Sequence, residues 1–566
     1  MYKYPYNGIA DAKEVYDGFD TKISEFVKLH LKGYKPSGYA KNKVIHDPVW
    51  GTTLFYKWEL KILDSPLLQR LRNISQLGLT MLTYPSAHHT RFEHTLGVMS
   101  VVTKMVHHIN QDAEGQMISD EDFYTLRLAA LLHDIGHCFC SHLSESIYGK
   151  LIEFAKLKKS YDIFKTAKAH EIFAYIIINT DEFQNFIKEE VVLWKPDLKY
   201  DKLFFEIGHI IVGANLPPER RGQELYEQKY YLTQIINGQY DADKLDYLRR
   251  DSYTAGLALT YDIDRFLYKI KIAEKHEITD DGKTVIGKHL AIPVTGISAV
   301  EEMAFSQLML ASYIYQHQKV LATDALIHDV VEGLTSNEKL SHPCDYLNYC
   351  DDDILGIYSE NPDNDFKSKI ANENFNSLTN KKMEDIVKRI KNRDLPKRAF
   401  AVNYSTIAKE YKKNYVVSDI ADRLKKICKL REEICEVAKE ISNSLPVKGH
   451  GGKKPIDIYD IHISIPKISI AKDLSNALVI NNNDEFVSLS EIIRLSDWAD
   501  AFAWHKWNAY VFSKVEVLPF VSIASKIVFE RYNISFNEDT VFSNIKCADE
   551  IKEIIRYLKE HKKYPT

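Results

Sequence analysis

The stretch that most restricts the fold is SDEDFYTLRLAALLHDIGHCFCSH, residues 119–142. Ser119, with Asp122 three residues on, is a capping-box-like helix start, and Gly136 is a helix stop. The run LRLAALL between them is nearly all apolar, which predicts a helix buried on most of its faces. His133 and Asp134 close that helix. An ionised carboxylate there is disfavoured twice: a low dielectric penalises the charge, and the negative end of the helix dipole opposes it. A divalent cation removes both objections. The fold must then bury a helix end and bring further ligands to it.

The flanking segments also read as helical. LDSPLLQRLRNISQLGL (63–79) spaces its apolar residues as one helix, with Asp64 or Ser65 as cap and Pro66 in the first turn. HTLGVMSVVTKMVHHI (94–109) predicts a second amphipathic helix. ITDDGKTVIGKHLAIPV (278–294) alternates around Asp281-Gly282 and predicts a β-hairpin. Helices resume over 298–334. Segment 346–400 is polar and helical around a PDND turn (362–365), and KGHGGKKPID (448–457) is the strongest linker. The expected class is mainly α: a helical core with small β-hairpin elements and a C-terminal mixed α/β regulatory lobe. The expected divisions are 1–43, 44–335, 336–447 and 448–566.

A formal net charge of -5 argues against a chain built to coat nucleic acid or an acidic membrane. The seven cysteines are scattered without a CxxC pair, as expected of reduced thiols in a cytoplasmic protein. Cys138 and Cys140 read as packing residues rather than ligands. The opening residues MYKYPYNGIADAKEVYDGFD carry no signal-peptide pattern, and no apolar run reaches the roughly 18 residues a span needs. No membrane association is expected.

Two stretches offer the missing ligands. RFEHTLGV (91–98) places His94 at a helix start, just after Arg91. YDADKLDYLRRDS (240–252) offers Asp241, Asp243, Asp246 and Asp251 among Lys244, Arg249 and Arg250. Spacing alone does not choose among these aspartates, and a solvated helix face with i,i+3 and i,i+4 pairs is the plainer alternative. Nitrogen and oxygen ligands without thiolate suit Mn, Fe, Mg, Ni or Zn.

Together, QRLRNISQLGLTMLTYPSAHHTRFEHTLGV, HDIGHCFCSH and DADKLDYLRRDSYTAGL resemble the HD-domain deoxynucleoside triphosphate triphosphohydrolases. That family includes the bacterial dGTPases and the animal SAM- and HD-domain dNTPase. The resemblance runs from about 44 to 334, with weaker echoes to about 400 such as RIKNRDLPKR (389–398). It implies His94, His133, Asp134 and Asp243 as ligands of a divalent metal: Mn, Mg, Fe or Zn. It implies His137 as general acid, oriented by Glu145 where some members carry aspartate, and His170 as a further active-site histidine.

By the same resemblance Arg91, His142, Lys244 and Tyr247 contact phosphates, and Gln76, Leu77, Asp251 and Tyr315 contact the deoxyribose. Gln76 and Asp251 would bond the 3′-hydroxyl; Leu77 and Tyr315 would crowd the 2′ position and reject ribonucleotides. Asp64, Gln69 and Arg72 resemble a triad that reads a guanine effector, and Arg265 aligns with an effector-contacting arginine. The implied partners are a dNTP substrate, a nucleotide effector and further copies of the chain, as a dimer or tetramer. Nucleic acid is not indicated.

Two positions depart from the animal pattern. Gln307 stands where an arginine meets the distal phosphate, and Gln318 replaces the lysine of a YQHK motif. A SAM domain is not expected in the 42 residues before the match. Two other readings share the signature: an HD phosphodiesterase or nuclease, and a nucleotide sensor that binds without turnover. The Gln76, Asp251 and Tyr315 set argues against the first. Gln307, Gln318 and Glu145 keep the second open.

Overall fold

The computed structural model describes residues 10–561 except 113–115, 194–197, 222–224, 260, 279–283, 337–339, 357–377, 410–416, 428, 447–453, 467–472, 538–539 and 541–546. The Asp281-Gly282 and PDND turns and most of the 448–457 linker lie outside the described residues. Among the described residues the chain is mainly helical, with sheets of two, six and three strands. It forms two compact units. One comprises residues 1–307, 334–370 and 473–494; the other comprises 308–333, 371–472 and 495–566. Among the described residues, no helix is long and apolar enough to cross a membrane.

The first unit is built around helix Asp120–Leu132, in which every residue from Thr125 to Leu132 is buried. Ser119 caps it, accepting from the Asp122 amide. Burial extends to Arg127, whose guanidinium meets Glu59 with both Nε and Nη2 (2.6 and 2.7 Å); this bidentate geometry is what makes so deep a cation tolerable. The helix ends at Leu132, and residues 133–136 turn away from its axis. Against it pack helices Arg91–Asp112, Tyr200–Ile211 and Tyr230–Ile236, and Ala242–Thr254 packs on Arg91–Asp112. The N-terminal helix Ala10–Leu31 also buries an apolar stripe, Tyr16, Phe19, Ile23 and Val27, at helical spacing.

The single helix expected over 63–79 is not formed. Residues Pro66–Gln69 are helical, Arg70–Asn73 form a 3-10 turn, and the chain then extends. The reason is competition for backbone groups. The Arg91 amide donates to Ile74 O (2.9 Å), the Gln76 amide donates to His89 O (3.1 Å), and Ser75 bridges Thr90. These pairings with segment 89–91 replace the intrahelical bonds that local propensity favoured.

The hairpin is longer than its sequence signal. Lys271–Ile278 pairs antiparallel with Thr284–Pro293. Thr284–Pro293 is the spine of a six-stranded sheet, running parallel to Leu225–Gln228 and to Leu478–Ile480. A separate hairpin, Lys43–Asp47 with Gly51–Phe55, supplies Asp47 and Trp50 to the centre described below.

The second unit holds a three-stranded antiparallel sheet in the order Lys397–Val402, Ala509–Ser513, Ile461–Ser464. Helices Leu430–Ser444 and Leu518–Arg531 belong with it, and Phe400, Ile434, Trp507, Phe520 and Ile523 share its core. The mixed α/β character expected late in the chain is present, but its first strand comes from before the 448–457 linker. Tyr315 and Gln318 fall in this unit. Tyr315 ends the π-helical turn Ala311–Tyr315 and packs on the Leu308, Ala311 and Phe502 cluster; Gln318 opens helix Gln318–Ser336.

Candidate active site

Three elements of the first unit bring four donors together. His94 comes from the first turn of helix Arg91–Asp112, His133 and Asp134 from the end of helix Asp120–Leu132, and Asp243 from the first turn of helix Ala242–Thr254. His94 Nε2 lies 2.9 Å from Asp243 Oδ1, 3.7 Å from Asp134 Oδ2 and 3.4 Å from His133 Nε2. The histidines are prepared as ligands from behind. His94 Nδ1 donates to Asp246 Oδ2 (2.7 Å), and His133 Nδ1 donates to Ala130 O (2.8 Å). Each ring therefore turns its Nε2 toward the carboxylates, the position a cation would take in place of the Nε2 proton, as outer hydrogen bonds do at metal sites.

The electrostatics agree. Burial alone would lower the basicity of His94, but the Asp243 and Asp246 carboxylates bonded to it, with Asp134 near, raise its pKa to about 10. Burial would raise the Asp134 pKa, yet Arg91, His133 and His137 hold it well below the carboxylate range. The buried His94, His133 and Asp134 cluster, with the half-buried Asp243 carboxylate 2.9 Å from His94, fits a divalent cation such as Mn, Mg, Fe or Zn.

Asp246 is itself locked. It accepts from Arg250 Nε and Nη2 (both 2.9 Å) and from Trp50 Nε1 (2.5 Å), and Arg250 also meets Asp47 (2.9 Å). Gly97 makes this packing possible: a Cβ there would sit 1.8 Å from Asp246 Oδ1. The helix interior therefore carries a glycine for close approach, not for flexibility.

A second histidine group adjoins the first. His137 Nε2 is 3.3 Å from Asp134 Oδ1, outside hydrogen-bond geometry, and both its ring nitrogens are buried without a hydrogen-bond partner. Its ring stacks on His170 at 3.8 Å. Glu145 does not bond His137. It accepts from His170 Nδ1 (2.9 Å) and the His170 amide (3.1 Å) on Oε1, and from His142 Nδ1 (2.8 Å) on Oε2. The direct orienting contact expected between Glu145 and His137 is not formed; the two are connected only by the His170 ring, which Glu145 bonds and His137 stacks on. Burial and the Arg91 charge push the His137 pKa well down, so this imidazole is neutral.

Arg91 is nearly fully buried. Its Nη1 donates to Asp134 (2.9 Å), its Nε donates to Ser141 Oγ (2.9 Å), and its Nη2 has no partner. Gln76 is buried with an unpartnered Oε1, and Leu77 is half-buried beside it in sequence. Asp251 Oδ1 is held by His89 Nε2 at 2.8 Å. Tyr247 Oη accepts from Gln307 Nε2 (3.2 Å), whose Oε1 is unpartnered. Lys244 Nζ is engaged with Asp241 Oδ2 (2.6 Å) and Gly238 O (2.7 Å). Unpartnered buried polar groups are uncommon in proteins, and Gln76, Arg91 and His137 are among those of this structure. Lys168, at the start of the His170 helix, adds positive charge near Asp243 and Tyr247.

The effector candidates are exposed or half-buried. Arg72 Nε donates to Gln69 Oε1 (2.7 Å) and its guanidinium covers the Phe92 ring at 3.7 Å. Asp64 accepts from the Tyr39 hydroxyl, and Gln69 Nε2 donates to Leu63 O (2.8 Å). Arg265 is exposed on helix Ile263–Lys269.

Sequence reasoning missed His89, Asp351 and the role of Asp246. The His88-His89 doublet before Arg91 was a usable signal for His89. For Asp246 the acidic run offered four equivalent aspartates. Asp351 carries no local signal, because its partners lie more than 200 positions away.

Residues 91–251 match the HD domain family model. The chain is 33% identical over 290 residues to an uncharacterised protein of Methanocaldococcus jannaschii, covering 51% of this chain and 49% of that one. It is 28% identical over 296 residues to deoxynucleoside triphosphate triphosphohydrolase SAMHD1 of Mus musculus, covering 51% and 43%. To SAMHD1 of Homo sapiens it is 29% identical over 260 residues, covering 44% and 38%. The chain spans less than half the length of these relatives.

Proposed function

We propose that this HD-domain protein is a metal-dependent dNTP triphosphohydrolase, cleaving a dNTP to deoxynucleoside and inorganic triphosphate. The observation that carries the reading is the buried His94, His133 and Asp134 set, with Asp243 against His94, beside an unpartnered Arg91 Nη2 and a His137 whose two ring nitrogens are unpartnered. The similarity to two named triphosphohydrolases supports it.

Four residues would hold the ion: His94, His133, Asp134 and Asp243. When bound, a divalent cation supplies Lewis acidity toward the α-phosphate and an attacking water. The remaining work falls to the chain. Arg91 aims Nη2 at a phosphate oxygen while Asp134 and Ser141 fix its fork. His142, Lys244 and Tyr247 flank the triphosphate, and Lys168 adds a cation where Gln307 offers only an amide. His137 is the candidate proton donor to the leaving 5′ oxygen once a bound triphosphate, by neutralising the Arg91 charge that depresses its basicity, lets it take up a proton, and His170, held by Glu145, sets its plane. Gln76 and Asp251 receive the 3′-hydroxyl, with Leu77 as the filter against a 2′-hydroxyl.

The surface set Asp64, Gln69, Arg72 and Arg265 is the proposed effector contact, acting through assembly of a homo-oligomer. The test is product analysis with each dNTP singly, and with all four plus GTP, in Mg or Mn. Deoxynucleoside plus triphosphate, absent from a His133→Ala/Asp134→Ala control, supports the reading. Turnover only in mixtures identifies an effector. No product in any mixture refutes it.

A further inference from the structure

Asp351 lies outside the HD match, at the start of helix Asp351–Gly356 in the first unit. It is 7% exposed. Its two carboxylate oxygens reach two different loops of the candidate site. Oδ1 accepts from the Cys140 amide at 2.6 Å, and Oδ2 accepts from the Ser75 amide at 2.9 Å.

Both loops carry proposed substrate contacts. Ser75 precedes Gln76. Cys140 and Ser141 precede His142 and the helix that carries Glu145. The second loop is held in an unfavourable backbone conformation: Cys140 and Ser141 both have positive φ, 52° and 51°, without being glycine. Left-handed conformations in two successive residues with a Cβ persist only where surrounding bonds enforce them. Three bonds do so here. Asp351 takes the Cys140 amide, Ser141 Oγ donates to Ser75 O (2.6 Å), and Arg91 Nε donates to Ser141 Oγ (2.9 Å). Of these anchors, Asp351 alone engages both loops by their amides, and a carboxylate is the side chain suited to take two N–H groups at once.

We propose that Asp351 is a positioning residue for substrate binding: a buried carboxylate clamp that fixes the sugar-facing loop at Gln76 to the phosphate-facing turn at His142. This rests on the dNTP reading above. The clamp touches neither the metal ligands nor His137. Its loss should therefore weaken substrate binding and leave the chemical step nearly intact. Asn in its place keeps size but offers one acceptor oxygen, and its NH2 then confronts an amide N–H.

The experiment compares wild type, Asp351→Asn and Asp351→Glu as full chains. It reads kcat, KM, the affinity for an α-thio dNTP by calorimetry, the bound metal and Tm. The expected result for Asp351→Asn is a KM and an α-thio dNTP Kd raised at least tenfold, with kcat within about threefold and metal content unchanged. Asp351→Glu should recover part of the affinity. Wild-type KM and Kd in a folded Asp351→Asn chain overturn the proposal. So does a large fall in Tm for both variants with binding per folded molecule unchanged, which would assign Asp351 to stability alone. An inactive wild type whose α-thio dNTP affinity still depends on Asp351 refutes triphosphohydrolysis but not the clamp.

Discussion

Gly97→Ala is a one-methyl test of how the candidate metal centre is supported. The added Cβ would lie 1.8 Å from Asp246 Oδ1 and 2.2 Å from Arg250 Nη2. Neither neighbour is a loose side-chain end. Asp246 is bonded by His94, Trp50 and Arg250, and Arg250 by Asp246 and Asp47. Intrinsic helix propensity favours the alanine by about 1 kcal/mol. Overpacking costs about 1–3 kcal/mol, and separating a buried ion pair costs about 3–5 kcal/mol. The net expectation is a loss of at least about 3 kcal/mol, measured by urea denaturation of the metal-free protein. Displacing Asp246 also frees the His94 ring, so metal affinity by chelator competition should fall about 10–100-fold. A Gly97→Ala protein as stable as wild type, binding metal equally well, would refute the claim that Asp246 is packed against this helix to orient His94.

Metal at about 100 times its Kd should stabilise wild type by about 2.7 kcal/mol, and an Asp134→Asn protein by almost nothing, in thermal melts with and without chelator. His89→Ala should raise KM for a dNTP several-fold with little change in metal content, because His89 holds Asp251 rather than a metal ligand. Lys168→Ala should raise KM and make KM less sensitive to salt if that lysine stands in for the cation missing at Gln307, and initial-rate kinetics at two ionic strengths decide it. Burial alone would raise the Glu145 pKa, but His170 and His142 hold it well below the usual value. A depressed acid stabilises the fold fully above its unfolded pKa of about 4.3, and that contribution is lost as pH falls through the folded value. Glu145→Gln should therefore destabilise the protein at pH 6 and flatten its acid limb below about pH 4, as read by urea midpoints across that range.

Legibility differed by the range of the forces involved. Helix Asp120–Leu132 was readable because its start, its burial and its stop all lie within 24 residues, and local signals agreed. His133 and Asp134 followed from the cost of a charge at a buried helix end. The choice of Asp243 did not follow from spacing; the structure explains why its neighbours differ. Asp241 caps its helix and holds Lys244, while Asp246 faces the back of His94. The helix expected over 63–79 failed because segment 89–91 competes for its backbone groups, and no local pattern records that competition. Asp351 was invisible for the same reason, since its two acceptor bonds close loops of 211 and 276 residues. Glu145 was expected to orient His137 directly, and its link to that ring through a stacked His170 is a geometric fact that residue types do not encode.

The measurement that tests the central claim most directly is hydrolysis of a dNTP in 18O-labelled water with the metal-loaded full chain, read by mass spectrometry. Attack of water on the α-phosphorus, with departure of the 5′ oxygen, predicts one 18O in inorganic triphosphate and none in the deoxynucleoside. Label in the deoxynucleoside, or release of phosphate or pyrophosphate in place of triphosphate, would contradict the account.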